Sequence, residues 1–106
     1  MSAITESARG EECLVRLECI CNRDPATVVF AHGNGSAYSK GFGQKAPDYL
    51  GAYCCSACHD VFDRRVPVPL DLVAMSRWEV ELSFAHGVFR TQRKLVEKGL
   101  LVCAGC

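Results

Sequence analysis

Cys55-Ser56-Ala57-Cys58-His59-Asp60-Val61-Phe62-Asp63-Arg64-Arg65 is the stretch on which the reading of this chain turns. Its first four residues form a C-x-x-C turn, which lets two thiolates converge on one tetrahedral ion at ~2.3 Å while intervening amides bond the sulfurs. Ala57, Val61 and Phe62 follow at helical spacing, and the pattern ends before Pro67. His59 and Asp63 lie four residues apart, so on a helix they share one face, a turn apart. An imidazole and a carboxylate so placed supply half of a mononuclear metal site with open positions. The plainer alternative is an i,i+4 ion pair on a solvated face.

A C-x-x-C pair needs two more ligands to close a tetrahedron. Cys13 and Cys21, flanking the N-terminal segment, can supply them, and a Cys₄ zinc there would tie that segment to the first helix. Other choices stay open at this level. Cys19 can replace Cys13 or Cys21, and Cys54 can replace Cys55. Cys103 and Cys106 form a second C-x-x-C pair at the terminus, where chains usually fray. Some of these thiols can also be ordinary buried apolar residues. A redox role for Cys55 and Cys58 is disfavoured, because the flanks do not read as a thioredoxin-like βαβ unit.

Upstream, Thr27 to His32 (TVVFAH) is rich in β-branched and aromatic residues and is the best strand in the sequence. Residues 13–20 read as a short strand or extended turn, and Asn22 to Pro25 as a turn. Gly33 to Pro47 holds four glycines and reads as a loop, with Tyr49 to Cys54 as a second strand. Downstream, Leu72, Met75, Trp78, Leu82 and Ala85 recur at three and four, predicting an amphipathic helix with Asp71 as its N-cap. That stripe would be buried either internally or against a second copy, so a homodimer is possible. Val88 to Lys98 continues helically and Gly99 is the expected stop. The order predicts an α+β fold in one domain over residues 1–106, with a core at about 9–66 and a helical part at about 70–99. His32 ends the first strand beside the candidate metal site, where a histidine can act as general base on water. A bland alternative has His32 bonding a backbone carbonyl, and His86 reads as a surface residue near a helix junction.

Composition narrows the function classes. The 106 residues are 49% apolar, which excludes a disordered tail, and eight are cysteine. Twelve basic residues balance twelve acidic ones, so no whole-molecule field draws the chain to nucleic acid or membrane. The neutral total conceals a basic end: Arg90, Arg93, Lys94 and Lys98 face Glu97 alone after Phe84. No apolar run approaches a membrane span, and the N-terminus lacks the order of a secretory signal. These features predict a cytoplasmic protein, in whose reducing surroundings cysteines more often bind metal than form disulfides.

A strand ending in histidine, a loop, a second strand, then C-x-x-C-H and a helix is similar to the HNH, or ββα-metal, endonuclease superfamily. More narrowly, the chain resembles the small predicted nucleases encoded by lambdoid phages and enterobacterial prophages. The residues carrying the resemblance are Ala8-Arg9-Gly10 with Glu12-Cys13, Cys21-Asn22, Ala31-His32, Pro47-Asp48, the Cys55 to Arg65 block, and Arg90-Thr91-Gln92. The resemblance implies that Cys13, Cys21, Cys55 and Cys58 hold a structural zinc, and that His59 and Asp63 hold a catalytic divalent ion such as Mg²⁺. It implies that His32 activates water, and that Asp48, near the place of the superfamily's middle asparagine, orients His32 or approaches the metal. Arg64, Arg65, Arg90 and Arg93 are then expected to contact the phosphates of a DNA substrate. Ala31 stands where many superfamily members place a further metal ligand. That departure motivates an alternative, a zinc-stapled nucleic-acid-binding module without cleavage; the surplus thiols motivate a third, a redox or metal-storage protein.

Overall fold

In a computed structural model, which describes residues 2–39, 45–102 and 104, the element order is α1 (Ala3–Glu6), β1 (Val29–His32), β2 (Gly51–Cys54), α2 (Ser56–Phe62) and α3 (Arg77–Glu97). Strands β1 and β2 pair antiparallel, with Val29 opposite Cys54 and His32 opposite Gly51. Both strands are shorter than their composition predicts. Pro25–Thr27 form a 3₁₀ turn, capped by Asp24 accepting from the Ala26 amide at 3.0 Å, so β1 begins only at Val29. A turn closed by the Leu50 amide on the Pro47 carbonyl delays β2 to Gly51. The glycine there is required by packing: a Cβ would run into the Phe30 ring and lie 2.7 Å from the Ala31 carbonyl oxygen.

Residues 13–20 are not a strand. One bond, from the Leu14 amide to the Tyr53 carbonyl at 2.9 Å, lays this segment beside β2. Left-handed backbone at Arg16 (φ 56°) and Cys19 (φ 62°) then turns the chain back on itself, which no continuing strand can do. The segment also rests on α3 at Gly87, where a Cβ would stand 2.8 Å from a Val15 methyl and 3.0 Å from Val15 Cα. Two glycine-dependent approaches therefore fix the two ends of the chain path that carries Cys13 and His32. The N-terminal helix α1, capped by Ser2, has no counterpart in the sequence reading.

The long helix differs from expectation in its start, its continuity and its buried face. It begins at Arg77, not after Asp71, because Ser76 and Glu79 form a reciprocal capping box that satisfies two end amides at once. Leu72 and Val73 instead donate to the Pro69 carbonyl in a turn. The helix then runs unbroken past His86 to Glu97, so no junction exists there; Gly99, at φ +73°, lies just past the Lys98 C-cap, where the stop was expected. Its buried face is Val80, Phe84, Gly87, Val88, Thr91 and Leu95, whereas Trp78 and Leu82 point to solvent. Period alone marks an apolar face without saying which of two such faces meets the core. Thr91, fully buried, accepts from the Tyr53 amide at 3.0 Å and so joins α3 to β2.

Helix α2 is clamped at its C-terminal end. The Arg77 guanidinium donates to the carbonyls of Val61 (2.6 Å) and Phe62, filling acceptors that a helix end leaves open. Phe62 stacks on Phe84 at 3.6 Å between ring centroids. Both contacts hold the turn carrying Asp63 against α3. No helix among the described residues is long and apolar enough to cross a membrane.

Candidate metal centre and adjacent histidine–carboxylate pairs

The sulfurs of Cys13, Cys21, Cys55 and Cys58 all lie within 4.8 Å of one another. A tetrahedral ion with ~2.3 Å arms separates its sulfurs by ~3.8 Å; Cys21 and Cys55 stand 3.8 Å apart. The local reason is visible at α2, where Cys55 is the N-cap and its sulfur accepts from the Cys58 amide at 3.4 Å. The chain reversal through Arg16 and Cys19 brings Cys13 and Cys21 to the same point. Cys55 and Cys58 are fully buried and Cys13 nearly so, while Cys21 is half-buried. This donor set fits a soft or borderline cation such as zinc.

Without a cation, Cys13, Cys21 and Cys58 differ in their hold on a proton. Hydrogen bonds from Cys54 and Cys58 pull the Cys13 thiol far below its ordinary range. The Cys58 thiol is driven up in turn, first by its hydrogen bonds to Cys13 and Cys54 and then by burial. Burial, with the nearby charges of Cys13 and Cys55, raises Cys21 to about 11. One thiolate is therefore favoured and further ones opposed, which is the condition a bound cation reverses. Cys54 is fully buried and bonded to Cys13, yet it stands outside the four. Cys19 is exposed and also outside them. Cys103 and Cys106 lie outside the described residues.

Two histidine–carboxylate pairs stand nearby in the fold. His32, at the end of β1, has Nε2 2.9 Å from Asp48 Oδ1, in the segment leading to β2. The bond to His32 holds the Asp48 carboxyl below its ordinary value, aided by Ser2. His59 Nε2 lies 3.0 Å from Asp63 Oδ2, one helical turn on, with both side chains about one-quarter exposed. Asp63 is crowded with donors: Asn34 Nδ2 approaches Oδ1 at 3.0 Å and Arg65 Nη1 approaches Oδ2 at 3.4 Å.

Asn34 went unremarked in the sequence reading, which treated the stretch after His32 only as a glycine-rich loop. Its signal, a polar amide two residues past the strand histidine, gains meaning only because the fold brings Asn34 to Asp63 at the end of α2. The arginines divide into two groups. Arg65 belongs to the α2 end, paired with Asp60 at 2.9 Å, and Arg64 is exposed beside it in left-handed backbone. Arg90 and Arg93 line a different groove, with Arg16 and Lys94; Arg90 there donates to the Leu14 carbonyl at 2.8 Å. The geometry thus gathers His32 with Asp48, and His59 with Asp63, Asn34 and Arg65. Arg90 and Arg93 are not brought to either pair by any of these contacts.

Fold and site together define a class: a small mixed α/β protein with a two-stranded sheet and a four-cysteine cluster that could hold a metal ion such as zinc. The chain belongs to the family described as "Putative nuclease YbcO", whose family model matches residues 2–100. It is 45% identical over 65 residues to "Putative nuclease YbcO" of Escherichia coli (strain K12), a match covering 61% of this chain and 67% of that relative. The same identity and coverage relate it to "Putative nuclease ybcO" of Enterobacteria phage 82. Among solved structures, "Structure of a putative bacteriophage protein from Escherichia coli str. K-12 substr. MG1655" superimposes with a TM-score of 0.68 at 33% identity, over 90% of this chain and 98% of that one.

Proposed function

We propose that this protein is a metal-dependent DNA endonuclease of the HNH type, with a structural zinc on Cys13, Cys21, Cys55 and Cys58. The observation that carries the reading is the Asn34–Asp63 hydrogen bond, 3.0 Å long, because it ties the loop that follows His32 to the end of α2 that carries the His59–Asp63 pair. Adjacent ligands on an octahedral ion with ~2.1 Å arms stand ~3.0 Å apart, and His59 Nε2 and Asp63 Oδ2 are separated by 3.0 Å. A divalent ion such as Mg²⁺ held there would polarise the scissile phosphate and stabilise the departing 3′ oxygen.

The chain's own residues supply the rest. His32 donates Nε2–H to Asp48, which fixes the tautomer and leaves Nδ1 as the proton acceptor for an attacking water. Asp48 thereby acts as a positioning residue for His32. His59 and Asp63 would hold that ion, exchanging their contact with each other for contact with it. Arg64 and Arg65, exposed at the α2 end, would neutralise phosphate charge there, and Arg90 and Arg93, in a separate groove shared with Glu12 and Glu97, would contact phosphates further along a backbone.

The test is plasmid nicking by purified protein with Mg²⁺ or Mn²⁺. Nicking that disappears in His32→Ala and in His59→Ala supports the reading. No nicking, or nicking indifferent to both substitutions, refutes it. A second reading, a zinc-stapled nucleic-acid-binding module without cleavage, is favoured by Ala31, which is buried and gives no ligand beside His32. It predicts salt-sensitive DNA binding with no metal-dependent product.

A further inference from the structure

Helix α3 carries a second apolar face that the core does not use. Trp78, Leu82, Ala85, Phe89, Gln92 and Val96 recur at alternating intervals of four and three, the spacing of a coiled-coil seam. The seam runs almost the whole length of the 21-residue helix. Trp78 is 81% exposed, Phe89 63%, Leu82 55% and Val96 41%. These four side chains present on the order of 500 Å² of surface, at the upper end of what ordinary monomers leave in one patch. Stable complexes bury roughly 800 Å² per partner, so these four side chains alone supply the larger part of such an interface.

The seam is complementary to itself when reversed. Phe89, Val96, Tyr49, Leu101 and Val102, together with Gln92 and Arg93, line one mainly apolar groove of about 420 Å³ at the C-terminal end of the helix, and Trp78 projects at the other end. If two copies lie antiparallel about a two-fold axis near residue 87, Trp78 of each meets Val96 and the groove of the other. Phe89 then faces the small Ala85, and Leu82 faces Gln92. Along one flank, Glu79 of each copy comes opposite Arg93 of the other. A parallel pairing instead stacks Trp78 on Trp78 and leaves the Glu79 and Arg93 charges without opposite partners across the seam.

We propose that the protein is a homodimer joined through α3 in this antiparallel arrangement, with Trp78 as the anchor that fills the other copy's groove. The proposal does not rest on the nuclease reading, although it assigns Arg93 to the seam in place of a phosphate contact.

Sedimentation of the intact protein between about 1 and 100 μM tests it, a range that spans a micromolar equilibrium. A dimer is expected, with Trp78, the one tryptophan of the chain, emitting further to the blue as concentration rises. Phe89→Asp and Leu82→Lys, both at exposed positions, are expected to yield monomers with unchanged far-ultraviolet circular dichroism. Arg93→Glu, which sets an acid opposite Glu79, is expected to weaken the dimer about tenfold, as the loss of two symmetry-related charge pairs together worth ~1.4 kcal/mol would. A wild-type monomer at every concentration overturns the proposal and leaves the seam to a different partner. A dimer that survives Phe89→Asp and Leu82→Lys overturns it equally, by placing the contact elsewhere.

Discussion

Replacing Gly87 by alanine sets two effects of opposite sign against each other. In a helix interior alanine is favoured over glycine by about 0.8–1.0 kcal/mol, so helix propensity predicts stabilisation. The tertiary contact predicts the reverse. The new methyl would lie 2.8 Å from Val15 Cγ2, 3.0 Å from Val15 Cα and 3.2 Å from the Leu14 carbonyl oxygen. A side-chain methyl can rotate away, but two of these neighbours are backbone, so the segment itself must move. Overpacking of this kind costs about 1–3 kcal/mol, which offsets the propensity gain and leaves a net loss of up to about 2 kcal/mol. At this chain length a loss of that size corresponds to a fall in Tm of up to about 15 °C. The displaced segment carries Cys13, so affinity for zinc should fall with stability. Thermal unfolding of the metal-loaded protein, paired with chelator competition for zinc, measures both. Val15→Ala in the same background should recover part of the loss, because it removes one of the three contacts. An increase in Tm with unaltered zinc affinity would refute the reasoning, since propensity would then have decided the outcome.

Three further outcomes are expected. Thr91→Val keeps the shape of the side chain but leaves the Tyr53 amide without its acceptor at a fully buried site, costing about 1–3 kcal/mol in urea denaturation, whereas Thr91→Ser should cost less. Asp48, its carboxyl lowered below 3.8 chiefly by the bond to His32, contributes stability that is present above that ordinary value and lost as pH falls through the lowered one. Asp48→Asn should therefore lower stability at neutral pH and flatten the acid limb of the stability–pH curve, the difference from the parent protein closing as pH falls through the lowered value. Metal-loaded protein should shield about four thiols from a thiol reagent and release them to it on treatment with a strong chelator, while Cys58→Ser should lose zinc and loosen the N-terminal segment. Equal thiol reactivity with and without the chelator would argue against a tetrathiolate centre.

Residue spacing reports what neighbouring residues in one element can do, and several features follow from it. The C-x-x-C turn, the i,i+4 placement of His59 and Asp63 and the stop near Gly99 all depend on partners within a few residues. Where two local signals compete, spacing is weaker. Asp71 is the cap that spacing predicts, and the reciprocal bond between Ser76 and Glu79 sets the start of the helix at Ser76 instead. The stripe through Trp78 is a true helical periodicity on the face that the core leaves open.

From its amino-acid order alone the chain establishes a cysteine-rich α+β protein with its imidazoles and carboxylates set near a C-x-x-C turn. Only the folded path decides which thiols meet. Cys19 and Cys54 remain credible partners until left-handed turns at Arg16 and Cys19 and the close approach at Gly87 carry Cys13 and Cys21 to Cys55 and Cys58. The folded path likewise brings Asn34 onto Asp63 across 29 positions of sequence and the Asp48 carboxylate to His32 across 16. The physical reason is common to all of these. Local geometry is limited by bond rotation and hydrogen bonding over a turn or two, whereas convergence of distant side chains depends on where packed backbone permits the chain to pass.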